Sequence, residues 1–142
     1  MLKALSSQKN TLSEIINSMK EGVLYLDSNR VIKLYNDSFI NFLGLKDNPS
    51  GMRFEEIISK TELKELIEST KNKAWSSLEF EIEIKGRQRF FSAWANKVSD
   101  ESESTVMVLH DITEIRRLER VRRDFIANVS HELRTPVSII SL

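Results

Sequence analysis

Cysteine is absent from this 142-residue chain, which removes disulfides, thiolate metal sites and cysteine nucleophiles. Only two histidines occur, His110 and His131, so a histidine-rich metal cluster is excluded as well. The four glycines, Gly22, Gly44, Gly51 and Gly86, are scattered and build no phosphate-binding loop of the G-x-x-x-x-G-K-[ST] or G-x-G-x-x-G kind. No run approaches the ~20 apolar residues of a membrane span. A signal peptide is not expected either, because Lys3, Lys9 and Glu14 interrupt the N-terminal stretch. An excess of either charge is also missing: 21 basic residues balance 21 acidic ones, which argues against a protein that coats nucleic acid. With 40% hydrophobic and 30% charged residues, the composition reads as one soluble globular domain.

Periodicity divides what is present. Leu2, Leu5, Leu12, Ile15, Ile16 and Met19 recur at helical spacing over residues 2 to about 20. Thr11 with Glu14 offers a capping box at which this helix could restart. The helix either packs on its own domain or leads in from an upstream segment. Val23 to Leu26 and Val31 to Tyr35 predict a hairpin across Asp27-Ser28-Asn29-Arg30. Asn36-Asp37-Ser38 opens a short helix that Gly44 stops, and Ser59 with Glu62 opens another carrying Leu63, Leu66 and Ile67. Leu78, Phe80, Ile82 and Ile84 alternate with charged residues, predicting a strand with one wet face. Gly86 marks a turn, and Arg89 to Val98 and Thr105 to His110 complete three strands. Trp75 and Trp94 read as packing residues. The expected fold is α+β, with a five-stranded antiparallel sheet and short flanking helices.

The last segment follows a different rule. Ile112, Ile115, Leu118, Val121, Phe125, Val129 and Leu133 recur at a mean step of 3.5, the coiled-coil period. Asp111 and Glu114 stand where they could cap the helix, and its arginines are interleaved with acids, as on a solvated face. Such a helix should bury its seam on a partner, most simply a second copy. His131 lies between Val129 and Leu133, about 200° around the helix from either, away from the seam. Glu132 is adjacent, and Arg134 and Thr135 follow at helical contact spacing. The set offers a nucleophilic imidazole, a carboxylate to orient or deprotonate it, and a hydroxyl to hold a water. Pro136 costs a helix interior ~3 kcal/mol, so it either bends the helix or ends it.

Phe125-Ile126-Ala127-Asn128-Val129-Ser130-His131-Glu132-Leu133-Arg134-Thr135-Pro136 resembles the H-box of two-component sensor histidine kinases of the HisKA type. The preceding region resembles a PAS domain at Gly22 to Asp27, at Asn36, and at Asp111-Ile112-Thr113. The combination is similar to the phosphate-sensing membrane kinases. The resemblance implies a linker helix over 1–20, a PAS sensor over 21–111, and over 112–142 a signalling helix that begins the dimerisation and phosphoacceptor domain. It implies that His131 accepts the γ-phosphoryl of ATP and passes it to an aspartate of a response regulator. Glu132 would assist as base, and Thr135 would position water for dephosphorylation. Asp111, Thr113 and Pro136 would couple sensor to output.

The same resemblance implies a homodimer, with ATP and Mg bound by a kinase domain beyond Leu142 and without which the chain is inactive. It also implies a membrane-anchored bacterial parent of which this is a cytoplasmic portion. No metal, haem or flavin is expected in the sensor: the photoactive-flavin cysteine is missing, and no histidine falls between residues 36 and 75. His110 reads as structural. The alternative is a non-enzymatic PAS module that dimerises or binds a ligand.

Overall fold

A computed structural model describes the backbone of residues 2–46, 48–99 and 103–141, and within those spans the side chains from 10 to 134. The elements run α1 (Leu2–Ser18), β1 (Gly22–Leu26), β2 (Ile32–Tyr35), α2 (Asp37–Leu43), α3 (Phe54–Ile57), α4 (Thr61–Ser69), β3 (Trp75–Ile84), β4 (Arg87–Lys97), β5 (Thr105–Asp111) and α5 (Thr113–Ser141). The chain divides into two compact units, 1–111 and 112–142.

In the first unit, five strands form one antiparallel sheet in the order β2-β1-β5-β4-β3. The alternation in β3 works as its sequence suggests, with Phe80 buried and Glu79, Glu81 and Glu83 exposed. Thr105 to His110 reads as apolar on both faces in sequence, and pairing resolves it. Met107 and Leu109 lie opposite Ala95 and Ala93 on the buried face. That face and the helices share one core, in which Leu24, Leu26, Ile32, Phe39, Phe54, Leu63, Leu66, Phe91, Met107 and Leu109 are almost wholly buried. Phe91 sits at its centre, 5.2 Å from the ring of Phe42 and 5.5 Å from that of Phe80.

Turn chemistry fixes the connections. Lys85 and Gly86 both have positive φ, 52° and 77°, as the tight hairpin between β3 and β4 requires. Between β1 and β2, the Asp27 carboxylate accepts from the N–H groups of Asn29 and Val31. This turn holds Arg30 at φ 64°, a left-handed conformation that few non-glycine residues adopt. Gly44 ends α2 at φ 63°.

Several boundaries differ from the sequence reading. The capping pattern of Ser59 and Glu62 does not open α4: Lys60 occupies the cap without a side-chain bond, and the helix starts at Thr61. The four-residue α3 is too short to show a period. α1 is one helix, without a restart at Thr11. Among its described side chains Ile16 is buried, while Leu12 and Ile15, and Met19 just beyond the helix, remain exposed. Trp75 and Trp94 are not core residues. They stack on each other with centroids 5.0 Å apart on the outer sheet face, about half exposed. The reason is register: Trp94 pairs with Ser77, which shares the outward parity of Trp75 and the glutamates.

Truncating Phe91 to alanine removes the ring that joins α2 to β3. Such a change costs about 3–5 kcal/mol in a filled core. Urea unfolding of Phe91→Ala should show a loss of that order, against little change for the outward Trp94→Ala.

Candidate functional site

The second unit is the helix α5, Thr113–Ser141, which runs through Pro136 and does not end there. Its apolar seam is uncovered: Ile115, Leu118, Val121, Phe125, Val129 and Leu133 are each between 40% and 67% exposed. Glu114 lies in the first turn, where a negative charge suits the helix dipole. Arg117 reaches back to it at 3.5 Å. His131, Glu132 and Arg134 are exposed along the same helix. One turn of helix thus carries an imidazole and an adjacent carboxylate to solvent. The side chains of Thr135 and Pro136 lie outside the described residues, though both belong to α5.

The end of the sheet unit carries the other residues singled out by sequence. Asp111 closes β5, pairing with Phe91, and its carboxylate accepts a 2.8 Å hydrogen bond from the guanidinium of Arg89 on β4. Thr113 is the first residue of α5. His110 is half exposed, its Nδ1 3.9 Å from a Glu21 carboxylate oxygen. Asp111 and Thr113 therefore flank the single residue, Ile112, at which the sheet unit gives way to the helix.

A second cluster escapes sequence reading because its members are 25 and 38 residues apart. Arg30 donates to Glu55 at 2.9 Å and also to Glu68, tying the β1–β2 turn to α3 and α4. Lys71 stands 3.3 Å from Glu68. Arg30, Glu68 and Lys71 border an open groove of about 430 Å³ whose lining is polar apart from Val31. Hydrogen bonding to Arg30 is the main cause that holds both carboxyls below their ordinary range, and for Glu68 the bond to Lys71 adds to it. Among the described residues, no group of three or more histidines or acids could hold a metal ion. No helix among them is long and apolar enough to cross a membrane.

The depressed carboxyls set a sign. A folded-state value below the ordinary 4.5 contributes stability above that pH, and the contribution disappears as pH falls through the folded value. Arg30→Gly keeps the left-handed backbone and removes the cation. Its deficit in urea midpoint relative to wild type should be full at pH 7 and shrink below pH 4.5. A deficit unchanged at pH 3 would show that the ion pairs are not its source.

Comparison with known proteins matches this architecture. The PAS fold family matches residues 10–112. The Staphylococcus aureus sensor protein SrrB is 34% identical over 141 residues, covering 96% of this chain and 22% of SrrB. The chain thus spans about a fifth of that relative's length. Among solved structures, the PAS domain of Bordetella pertussis BvgS superposes with a TM-score of 0.62 at 18% identity, over 87% of this chain and 99% of that one. A PAS domain from a two-component sensor histidine kinase gives 0.58 at 15% identity, over 75% and 97%. The family match takes in the whole sheet and its helices, and the chain therefore belongs to the PAS-fold family.

Proposed function

We propose that the chain is the sensor and first output segment of a two-component sensor histidine kinase, with His131 as phosphoacceptor. One observation carries the reading: an uncovered helix that bears an H-box-like sequence follows directly on a PAS sheet. The match to a sensor protein covers 96% of the chain, so it includes most of α5 as well as the sheet. In the proposed division, residues 1–20 lead in, 21–111 sense, and 112–142 transmit. The exposed seam pairs with that of a second copy, making a homodimer. Such burial adds about 25 cal/mol for each Å² of apolar surface removed from water, a gain the lone helix forgoes. The sensor portion is assigned no resident metal, haem or flavin.

In the proposed reaction a ring nitrogen of His131 attacks the γ-phosphorus of ATP. The bond to the bridging oxygen of ADP breaks, and Glu132 takes the imidazole proton. The phosphoryl group then passes to an aspartate of a response regulator, and the imidazole is restored. Glu132 and Thr135 would later position the water that dephosphorylates the regulator. Mg and ATP would be brought by a separate kinase domain, because phosphoryl transfer depends on placing charge around the phosphate oxygens. The whole protein would be anchored in a bacterial membrane, with this portion on the cytoplasmic side. Asp111, Thr113 and Pro136 would set how sensor movement reaches His131. A purely dimerising or ligand-binding PAS module is the alternative, and it gives His131 no chemistry.

Incubation with a separately produced histidine-kinase ATP-binding domain and γ-labelled ATP should label the chain, with acid-labile label lost in His131→Ala. Label retained by that variant would overturn the assignment. No label in wild type, with a functional kinase domain, would favour the non-enzymatic module.

A further inference from the structure

Asn36 is 99% buried and makes a hydrogen bond with every donor and acceptor its side chain has. Its Oδ1 accepts from the N–H of Phe39 at 3.1 Å, capping α2, and from the N–H of Val23 at 2.9 Å on β1. Its Nδ2 donates to the carbonyl of Ile16 at 2.6 Å, in the last turn of α1, and to that of Glu21 at 2.8 Å. The backbone N–H of Asn36 returns to the Val23 carbonyl at 3.2 Å. Two surface bonds reinforce the same junction. Asn17 accepts from the Asp37 N–H, and the Ser38 hydroxyl donates to the Met19 carbonyl, both at 3.1 Å. Gly22 lets the strand and α2 close on each other, because a Cβ there would lie 3.0 Å from Phe39 Cα.

The strand gripped by this knot is the neighbour of the strand that leaves the sheet. β1 and β5 are antiparallel, with Gly22 opposite Leu109 and Val23 opposite Val108. The beginning of β1 therefore lies beside the end of β5, two residues before Asp111 and four before α5. Glu21 and His110 approach across the same junction. α1, Asn36, β1 and β5 form one hydrogen-bonded series, and covalent continuity carries it into α5.

We infer that Asn36 is a positioning residue that couples α1 to the β5–α5 junction, so that a displacement of the incoming helix reaches the outgoing one without first passing through a ligand in the core. Its two sides have separate duties. Oδ1 keeps the fold by capping α2 and holding β1, and Nδ2 holds α1 to that frame. The inference deepens the reading of the chain as a sensor relay, but its test uses no phosphorylation, so either can fail without the other.

Asn36→Asp separates the duties, since aspartate keeps the capping oxygen and loses both donors. Amide exchange in the 142-residue chain should then rise about tenfold over residues 10–18 and also over 107–117, with α4 unchanged. A rise confined to α1 would overturn the coupling, and no rise in either would show that Asn36 does not hold α1. If Asn36→Asp loosens the whole sheet, Ser38→Ala decides instead. It removes one exposed bond at the same junction and should raise exchange in the same two regions by a smaller factor; an unchanged 107–117 segment would again refute coupling.

Discussion

Antiparallel pairing of β1 with β5 is the constraint on which the rest of the molecule depends. The first and last strands of the sheet are neighbours, so the chain enters and leaves at one end. Everything between them, β2, the three short helices and the β3–β4 hairpin, completes the core that keeps this pair in register. Phe39, Phe54, Leu63 and Leu66 arrive from α2, α3 and α4, and Phe91, Ala93 and Ala95 line the sheet opposite β5. A fold arranged in this way can accept change in its turns and outer face while the geometry of entrance and exit stays fixed.

The two units meet opposite demands. The sheet unit buries its apolar side chains internally and closes its turns with local hydrogen bonds, as at Asp27 and Asn36. The helix α5 leaves its apolar positions from Ile115 to Leu133 exposed, so among the described residues this seam gains nothing from burial. The contrast explains why a net charge of zero says little about the chain. The arginines of α5 are interleaved with acids along a helix whose apolar positions lie exposed beside them.

Much of this is legible in the sequence where the signal is local. The alternation from Leu78 to Ile84 marks a half-wet strand, and Asn36-Asp37-Ser38 marks a helix start that the structure reproduces with an Asn36 cap. The five strands follow from β-type runs, alternation and turn residues, and α5 follows from its spacing as far as Leu133, while Pro136 leaves its end open in the sequence. What is illegible depends on pairs distant in sequence. Arg30 finds Glu55 and Glu68 only after the helices fold back over the β1–β2 turn. Asn36 can be read as a cap, but its grip on Ile16 and Glu21 cannot, because helical spacing ends α1 near residue 20 without showing which side chain its last carbonyls meet. Trp75 and Trp94 read as packing residues, and only strand register shows that they pack on each other on the outward face. At the candidate site, the spacing of His131 and Glu132 is readable as chemistry, and the seam as a need for a partner. The identity of that partner is not written in either.

The absence of cysteine permits one direct test of the central claim, that the seam of α5 meets its own copy. In Leu118→Cys the single thiol lies on the seam. In Arg120→Cys it lies about 200° around the helix. Across a parallel two-fold seam, the former brings two Cβ atoms within the ~4 Å that a disulfide needs, and the latter does not. Mild oxidation should convert Leu118→Cys to a disulfide-linked dimer while Arg120→Cys stays largely monomeric under denaturing electrophoresis. Equal cross-linking at both positions, or none at Leu118→Cys, would contradict the account.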